Sequence, residues 1–150
     1  MDTNNDNSEL SDIIQLVSFN IGEEQYGVDI LKVKEINRMV NITQVPNSPS
    51  YVNGVINLRG TVIPIVCLRS RMGLPVVKES RETRIIVVEL EGKTIGFIVD
   101  KVNEVLRIPR NITEPPPAMA MQIDSSYIVS VAKLDDRLII LLDLDKVLSD

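Results

Sequence analysis

Histidine and tryptophan are missing from this chain, and cysteine occurs once. Without histidine, the commonest general base and the commonest transition-metal ligand are gone. A lone Cys67 excludes an intramolecular disulfide and suits a reducing compartment. Within the apolar run VIPIVCL it reads as a small buried hydrophobe. Aromatic residues make up only 3% of the 150 residues, too few for a base-stacking platform, and no basic stripe runs along the chain. Nucleic acid is therefore not an expected partner. No apolar run approaches the roughly 20 residues of a membrane helix, so direct membrane insertion is not expected either. The opening MDTNNDNSELSD lacks the basic-then-apolar order of a signal peptide. A cytoplasmic location is the expectation.

The charge is uneven. Asp2, Asp6, Glu9 and Asp12 precede the first cation, Lys32, and the formal net charge is −5. Residues 1–13 read as a disordered acidic tail, leaving 14–150 as the folded domain. Its apolar content, 44% of the whole chain, supports a core.

The chain carries one pattern twice. YGVDILKVKEINRMVNIT (26–43) returns as IGFIVDKVNEVLRIPRNIT (95–113). Gly27, Lys32, Val33, Glu35 and Arg38 recur as Gly96, Lys101, Val102, Glu104 and Arg107. Tyr51, Val55, Leu58 and the run 62–68 recur as Tyr127, Val131, Leu134 and the run 138–144. Two pseudo-repeats, about 16–68 and 85–144, predict two similar subdomains packed on one another, with a seam where partners bind.

Both repeats open with a hairpin, at 14–28 and 84–99, rich in β-branched residues. Asp29–Ile36 and Asp100–Val105 fit both a helical turn and a strand; one capped turn followed by a strand is expected in each, with Asp29 or its neighbourhood as cap. Hairpins at 55–68 and 131–144 turn at Leu58-Arg59-Gly60-Thr61 and Leu134-Asp135-Asp136-Arg137. Pro115-Pro116-Pro117 opens a loop through Met121, and the chain ends in at most a short helix. About ten short strands with turns between them predict an all-β protein with few short helices.

Catalytic signals are thin. Asp135-Asp136 and Asp143/Asp145 are acidic clusters of the kind that bind Mg²⁺ or Ca²⁺, and a small-ligand or carboxylate-metal domain is the rival reading. No EF-hand spacing, phosphate loop or Ser-His arrangement accompanies them. No cofactor or metal site is assigned, and no enzyme activity is expected. Arg59 at its hairpin tip is either a surface charge or one half of a structural ion pair with Glu35 as candidate partner. In the second repeat Asp135 stands at the position of Arg59 while Glu104 matches Glu35, so the pair is expected to be lost there.

YGVDILKVKEI (26–36), P-x-x-P-x-Y-x-x-GVINLRGTVIPIV-x-L (46–68), GFIVDKVNEVL (96–106) and AKLDDRLIILLDLDKVL (132–148) resemble the CheW family of chemotaxis coupling proteins. The resemblance covers about Leu16 to Leu148; Ser130 departs from it, standing where the family often has Gly. It implies two SH3-like five-stranded β-barrel subdomains and a non-enzymatic adaptor. Such an adaptor links chemoreceptor helical-hairpin tips to the regulatory domain of the histidine kinase CheA and is recruited to membrane-associated receptor arrays. A CheW-type adaptor of another receptor-kinase pathway (motility, pili or an alternative signalling cluster) fits the same residues. The resemblance implies a receptor-binding groove at or beside Val33, Glu35 and Arg59, flanked by Gly54 and Gly96. Val33, Val55, Ile98 and Val99 are the candidate aliphatic walls. Kinase-binding residues are unassigned.

Overall fold

The computed structural model describes residues 12–116 and 124–149. The expected acidic tail therefore lies outside the described residues up to Ser11, and most of the loop opened by the three prolines does too. Ile13, assigned to the tail from sequence, instead begins the first strand.

Eleven strands run in the order β1 (Ile13–Ile21), β2 (Glu24–Asp29), β3 (Val33–Arg38), β4 (Val52–Leu58), β5 (Thr61–Cys67), β6 (Arg84–Leu90), β7 (Lys93–Val99), β8 (Lys101–Pro109), β9 (Thr113–Glu114), β10 (Ile128–Leu134) and β11 (Arg137–Leu142). Among the described residues two one-turn helices, α1 (Leu68–Arg71) and α2 (Leu144–Val147), follow β5 and β11. The strands form two sheets, β8-β1-β2-β11-β10-β9 (barrel I) and β3-β6-β7-β5-β4 (barrel II). Short bridges close each one. Thr43, beyond β3, pairs with Val55 of β4, and β9, beyond β8, pairs with Val131 and Ala132 of β10.

The sheets overturn one expectation. Repeats 16–68 and 85–144 are not the two subdomains. Barrel I takes its opening hairpin from the first repeat and β8–β11 from the second, while barrel II takes β3–β5 from the first and β6–β7 from the second. The exchange runs through four pairings, antiparallel β1 with β8 and β3 with β6, and parallel β2 with β11 and β5 with β7. Each parallel crossing carries the repeated glycine. Gly27 lies opposite Leu141, and Gly96 opposite Ile65. A Cβ on Gly27 would sit 3.0 Å from Leu16, and one on Gly96 2.7 Å from Ile65. Glycine is there because the barrel interiors have no room for more.

Period-2 alternation feeds two kinds of core. Leu16, Ile108, Ile139 and Leu141 fill barrel I, and Ile56, Ile63, Ile65, Ile85 and Val87 fill barrel II. Their neighbours Phe19, Val28, Ile86, Phe97, Val99, Ile140 and Leu142 point outward into one shared core between the barrels. Phe19 packs against Phe97 across it, with ring centroids 5.8 Å apart. Leu68 of α1 and Leu144 of α2, equivalent in the repeats, plug its ends.

The turn after Asp29 forms as expected. Asp29 accepts from the Leu31 amide at 2.9 Å and caps a 3-10 turn over Ile30–Lys32. The second copy does not form its turn. Asp100 accepts from the Gly22 amide of the β1–β2 turn at 2.7 Å instead of capping its own chain, and β8 runs on from Lys101.

Candidate functional site

The duplication leaves equivalent features on the two barrels, and their side chains differ. At one rim of the shared core a cleft of about 470 Å³ is lined by Cys67, Arg69, Ile98, Asp100 and Lys101, among others. At the other rim a cleft of about 270 Å³ has Asp143, Asp145, Asp29 and Lys32 at the equivalent places. Among the described residues, no group of three His, Cys, Asp or Glu side chains is arranged to hold a metal ion, in these clefts or elsewhere.

In the larger cleft Arg69 grips Asp100 with two parallel bonds, 2.5 Å from Nη2 and 3.2 Å from Nε, and spends Nη1 on the Pro75 carbonyl at 2.9 Å. Asp100 also holds the Gly22 amide, so one carboxylate ties α1, the β7–β8 junction and the β1–β2 turn across the seam. Burial pushes its pKa up, but the Arg69 hydrogen bonds, the Gly22 amide and the Arg69 charge outweigh burial and hold it below the ordinary 3.8. At the other rim Lys32 pairs with Asp145 at 3.0 Å, half exposed; Asp145 stands at the repeat position of Arg69, while Leu31 stands at that of Asp100.

Arg71 closes the end of the seam. Its guanidinium lies 4.5 Å from the ring centre of Tyr51 and 5.5 Å from that of Tyr127, the two repeat-related tyrosines. It donates to the carbonyls of Val147 at 2.8 Å and Ser149 at 2.5 Å, holding the C-terminal helix.

Each barrel mouth is strapped by a glutamate and an arginine. In barrel II, Arg59 at the β4–β5 tip donates from Nη2 to the Glu35 carboxylate on β3. The Arg59 hydrogen bond lowers the Glu35 pKa most; desolvation opposes it, and the Arg59 charge, the Asn37 hydrogen bond and the Lys34 charge add smaller lowering effects. The pair is open to water, with Arg59 70% and Glu35 27% accessible at the side chain. Arg59 has φ of 51° with Gly60 at 86°, the paired positive angles of a two-residue hairpin. Asp135 and Glu91 take nearly the same angle at the tips of the β10–β11 and β6–β7 hairpins, so the angle belongs to the turn; what sets Arg59 apart is its side-chain bond to Glu35. In barrel I the strap was expected to be lost, with Asp135 at the tip. It is present. Arg137, two residues on and first in β11, reaches Glu104 at 3.5 Å. The cation has moved from tip to strand, which removes the expected contrast of paired and repelling ends.

A family model, that of the CheW-like domain, matches residues 15–150. The chain belongs to the CheW-like family. It is similar to the "Chemotaxis protein CheW" of Klebsiella aerogenes, 35% identical over 135 residues covering 90% of this chain and 81% of the relative. It is also similar to the protein of the same name from Helicobacter pylori, 35% identical over 137 residues covering 91% and 82%. Its fold matches the crystal structure of the scaffolding protein TtCheW from Thermoanaerobacter tengcongensis with a TM-score of 0.84 at 40% identity, covering 91% of this chain and 88% of that one. CheW-type proteins are scaffolds without enzymatic activity, so the clefts need no catalytic group.

Against that background the expected groove residues separate. Glu35, Arg59, Val33 and Val55 reach the surface, with Val33 and Val55 half-buried. Ile98 is half-buried on the wall of the larger cleft. Val99 is fully buried in the shared core and faces no partner. Gly54 is buried too; its φ is 146° and a Cβ there would lie 2.2 Å from the Thr43 carbonyl, so it serves barrel closure. Gly96 serves the parallel crossing. Among the described residues, the interior between the barrels is filled by the chain's own Phe19, Phe97 and Val99, so Val99 lines no groove there.

Leu31 was missed from sequence. It is 88% exposed on the 3-10 turn just before Val33, while its neighbour Ile30 packs on the shared core. The Asp29 cap fixes that division, and the cap was the available signal. Val62, 65% exposed just beyond the Arg59 tip, was missed as well. The Arg69–Asp100 clamp left no mark in the sequence, since its partners lie 31 positions apart on different elements.

Proposed function

We propose that this chain is a chemotaxis adaptor that joins the cytoplasmic helical tips of chemoreceptors to the regulatory domain of the histidine kinase CheA. Recruitment to membrane-associated receptor arrays follows from that role; among the described residues no helix is long and apolar enough to cross a membrane. Receptor contact centres on the surface carrying Leu31, Val33, Glu35, Val55, Arg59 and Val62. Exposed Leu31 and Val62 and half-buried Val33 and Val55 accompany one ion pair, the combination of apolar and orienting polar groups that suits a helical partner. The observation that carries the site is Arg59, held in a left-handed turn with its charge fixed by Glu35 yet open to solvent. Gly54, Gly96 and Val99 support that surface from inside.

Pull-down with a receptor hairpin fragment and, separately, with the CheA regulatory domain tests the proposal. Binding of both by folded protein is expected. Failure of both would overturn it. Binding of only the receptors or kinase of a different motility system would assign the chain to that pathway.

A further inference from the structure

Beside the β3–β6 pairing, three arginines share one hollow. Arg38, Arg81 and Arg84, with Met39, Ser80 and Thr83, line a concavity of about 410 Å³. Arg38 and Arg84 are direct cross-strand partners. Like charges placed opposite one another destabilise a sheet, so their pairing calls for an explanation beyond folding.

The chain does not neutralise them. Among the described residues, no ion pair includes Arg38, Arg81 or Arg84. Nearby Glu82 is directed to Lys101, 3.6 Å away, and Glu79 lines the neighbouring larger cleft. Arg84 is positioned in advance, with Nη1 donating to the carbonyls of Arg81 at 2.8 Å and Thr83 at 2.9 Å. The segment before it is a tight turn, in which Thr83 Oγ1 accepts from the Ser80 amide at 2.8 Å.

The duplication supplies an internal reference. Arg107, the repeat counterpart of Arg38, lies opposite Gln15 on β1. The same backbone position in barrel I therefore carries one cation where barrel II carries two, with Arg81 beside them as a third.

We infer that the Arg38–Arg81–Arg84 hollow binds a multiply charged oxyanion of the phosphate class. Guanidinium forks match phosphate oxygens in pairs, and a phosphate group carries close to two negative charges and three acceptor oxygens. A single carboxylate would leave most of the positive charge unbalanced. The inference concerns a face separate from Glu35 and Arg59 and does not depend on the adaptor reading.

Inorganic pyrophosphate is the probe, titrated into the full chain at low ionic strength and followed by calorimetry and amide chemical shifts. One saturable site is expected, with shifts at residues 38 and 80–84 and weakening as salt rises. Arg84→Gln and Arg38→Gln should each weaken it about tenfold, and Arg107→Gln should leave it unchanged. Arg38→Gln should also raise the melting midpoint of the ligand-free protein, because it removes the opposed charges. Absence of saturable binding, equal weakening by Arg107→Gln, or a lowered midpoint for Arg38→Gln would overturn the inference. Citrate binding as tightly as pyrophosphate would overturn the phosphate assignment.

Discussion

In barrel II the β4–β5 hairpin bulges at Asn53, just before Gly54, and in barrel I the β10–β11 hairpin bulges at Val129, just before Ser130. The register shift is the same, and the constraint is not. Gly54 has φ of 146° with the Thr43 carbonyl against it, because barrel II closes through the single bridge of Thr43 to Val55. Barrel I closes through a two-residue strand, Thr113–Glu114, and Ser130 keeps an ordinary backbone there. Gly54 is required by how barrel II is shut, not by the hairpin itself. The straps differ similarly. Arg59 reaches Glu35 from a hairpin tip, whereas Arg137 reaches Glu104 from a regular strand.

The largest expected effect separates the two bulges. Gly54→Ala should destabilise the protein by about 2–5 kcal/mol, from strained φ and overpacking together. Ser130→Ala should cost less than about 1 kcal/mol. Denaturant unfolding of both measures this, and equal losses would remove the distinction.

The seam pairs come next. Asp100→Asn should cost about 1–2 kcal/mol, since it weakens a half-buried bidentate contact partly reached by water. Asp145→Asn, in the exposed pair at the other rim, should be close to neutral. The sign with pH follows from the lowered Asp100 pKa. A carboxylate with a depressed folded pKa contributes fully above its ordinary value of 3.8, and the contribution fades as pH falls through the lower folded value. The stability gap between the native chain and Asp100→Asn should therefore be constant near neutrality and shrink below about pH 4. A gap that widened on acidification would contradict the clamp.

The smallest stability effect belongs to the straps. Arg59→Asn keeps a residue that tolerates the left-handed turn while removing the charge. Its melting midpoint should match that of the native chain, as should that of Arg137→Gln. Only Arg59→Asn should weaken binding to a receptor hairpin fragment. Equal weakening by both would mean that the straps act alike.

Much of this plan was readable in the sequence, and the misses have physical causes. Local signals held. The β-branched hairpins, the Asp29 cap and the turn at Arg59-Gly60 depend on neighbours in sequence. Non-local signals failed. The exchange of strands between repeats rests on the β1–β8, β3–β6, β2–β11 and β5–β7 pairings, and no residue in the repeat names its partner strand. Val99 was taken for a groove wall because a strand buried on both faces reads the same as one with an open face. Arg137 was overlooked as the partner of Glu104 because matching by position assumed that equivalent contacts come from equivalent residues. At the candidate site, Glu35 and Arg59 were found through their types and positions; Leu31 and Val62 needed the fold to show which way they point.

Chemical-shift mapping with a receptor hairpin fragment compares both barrels in one experiment. Perturbations should gather at Leu31, Val33, Glu35, Val55 and Arg59, leaving Val102, Glu104 and Arg137 unmoved. Shifts centred on Glu104 and Arg137, or spread equally over the two straps, would contradict the account.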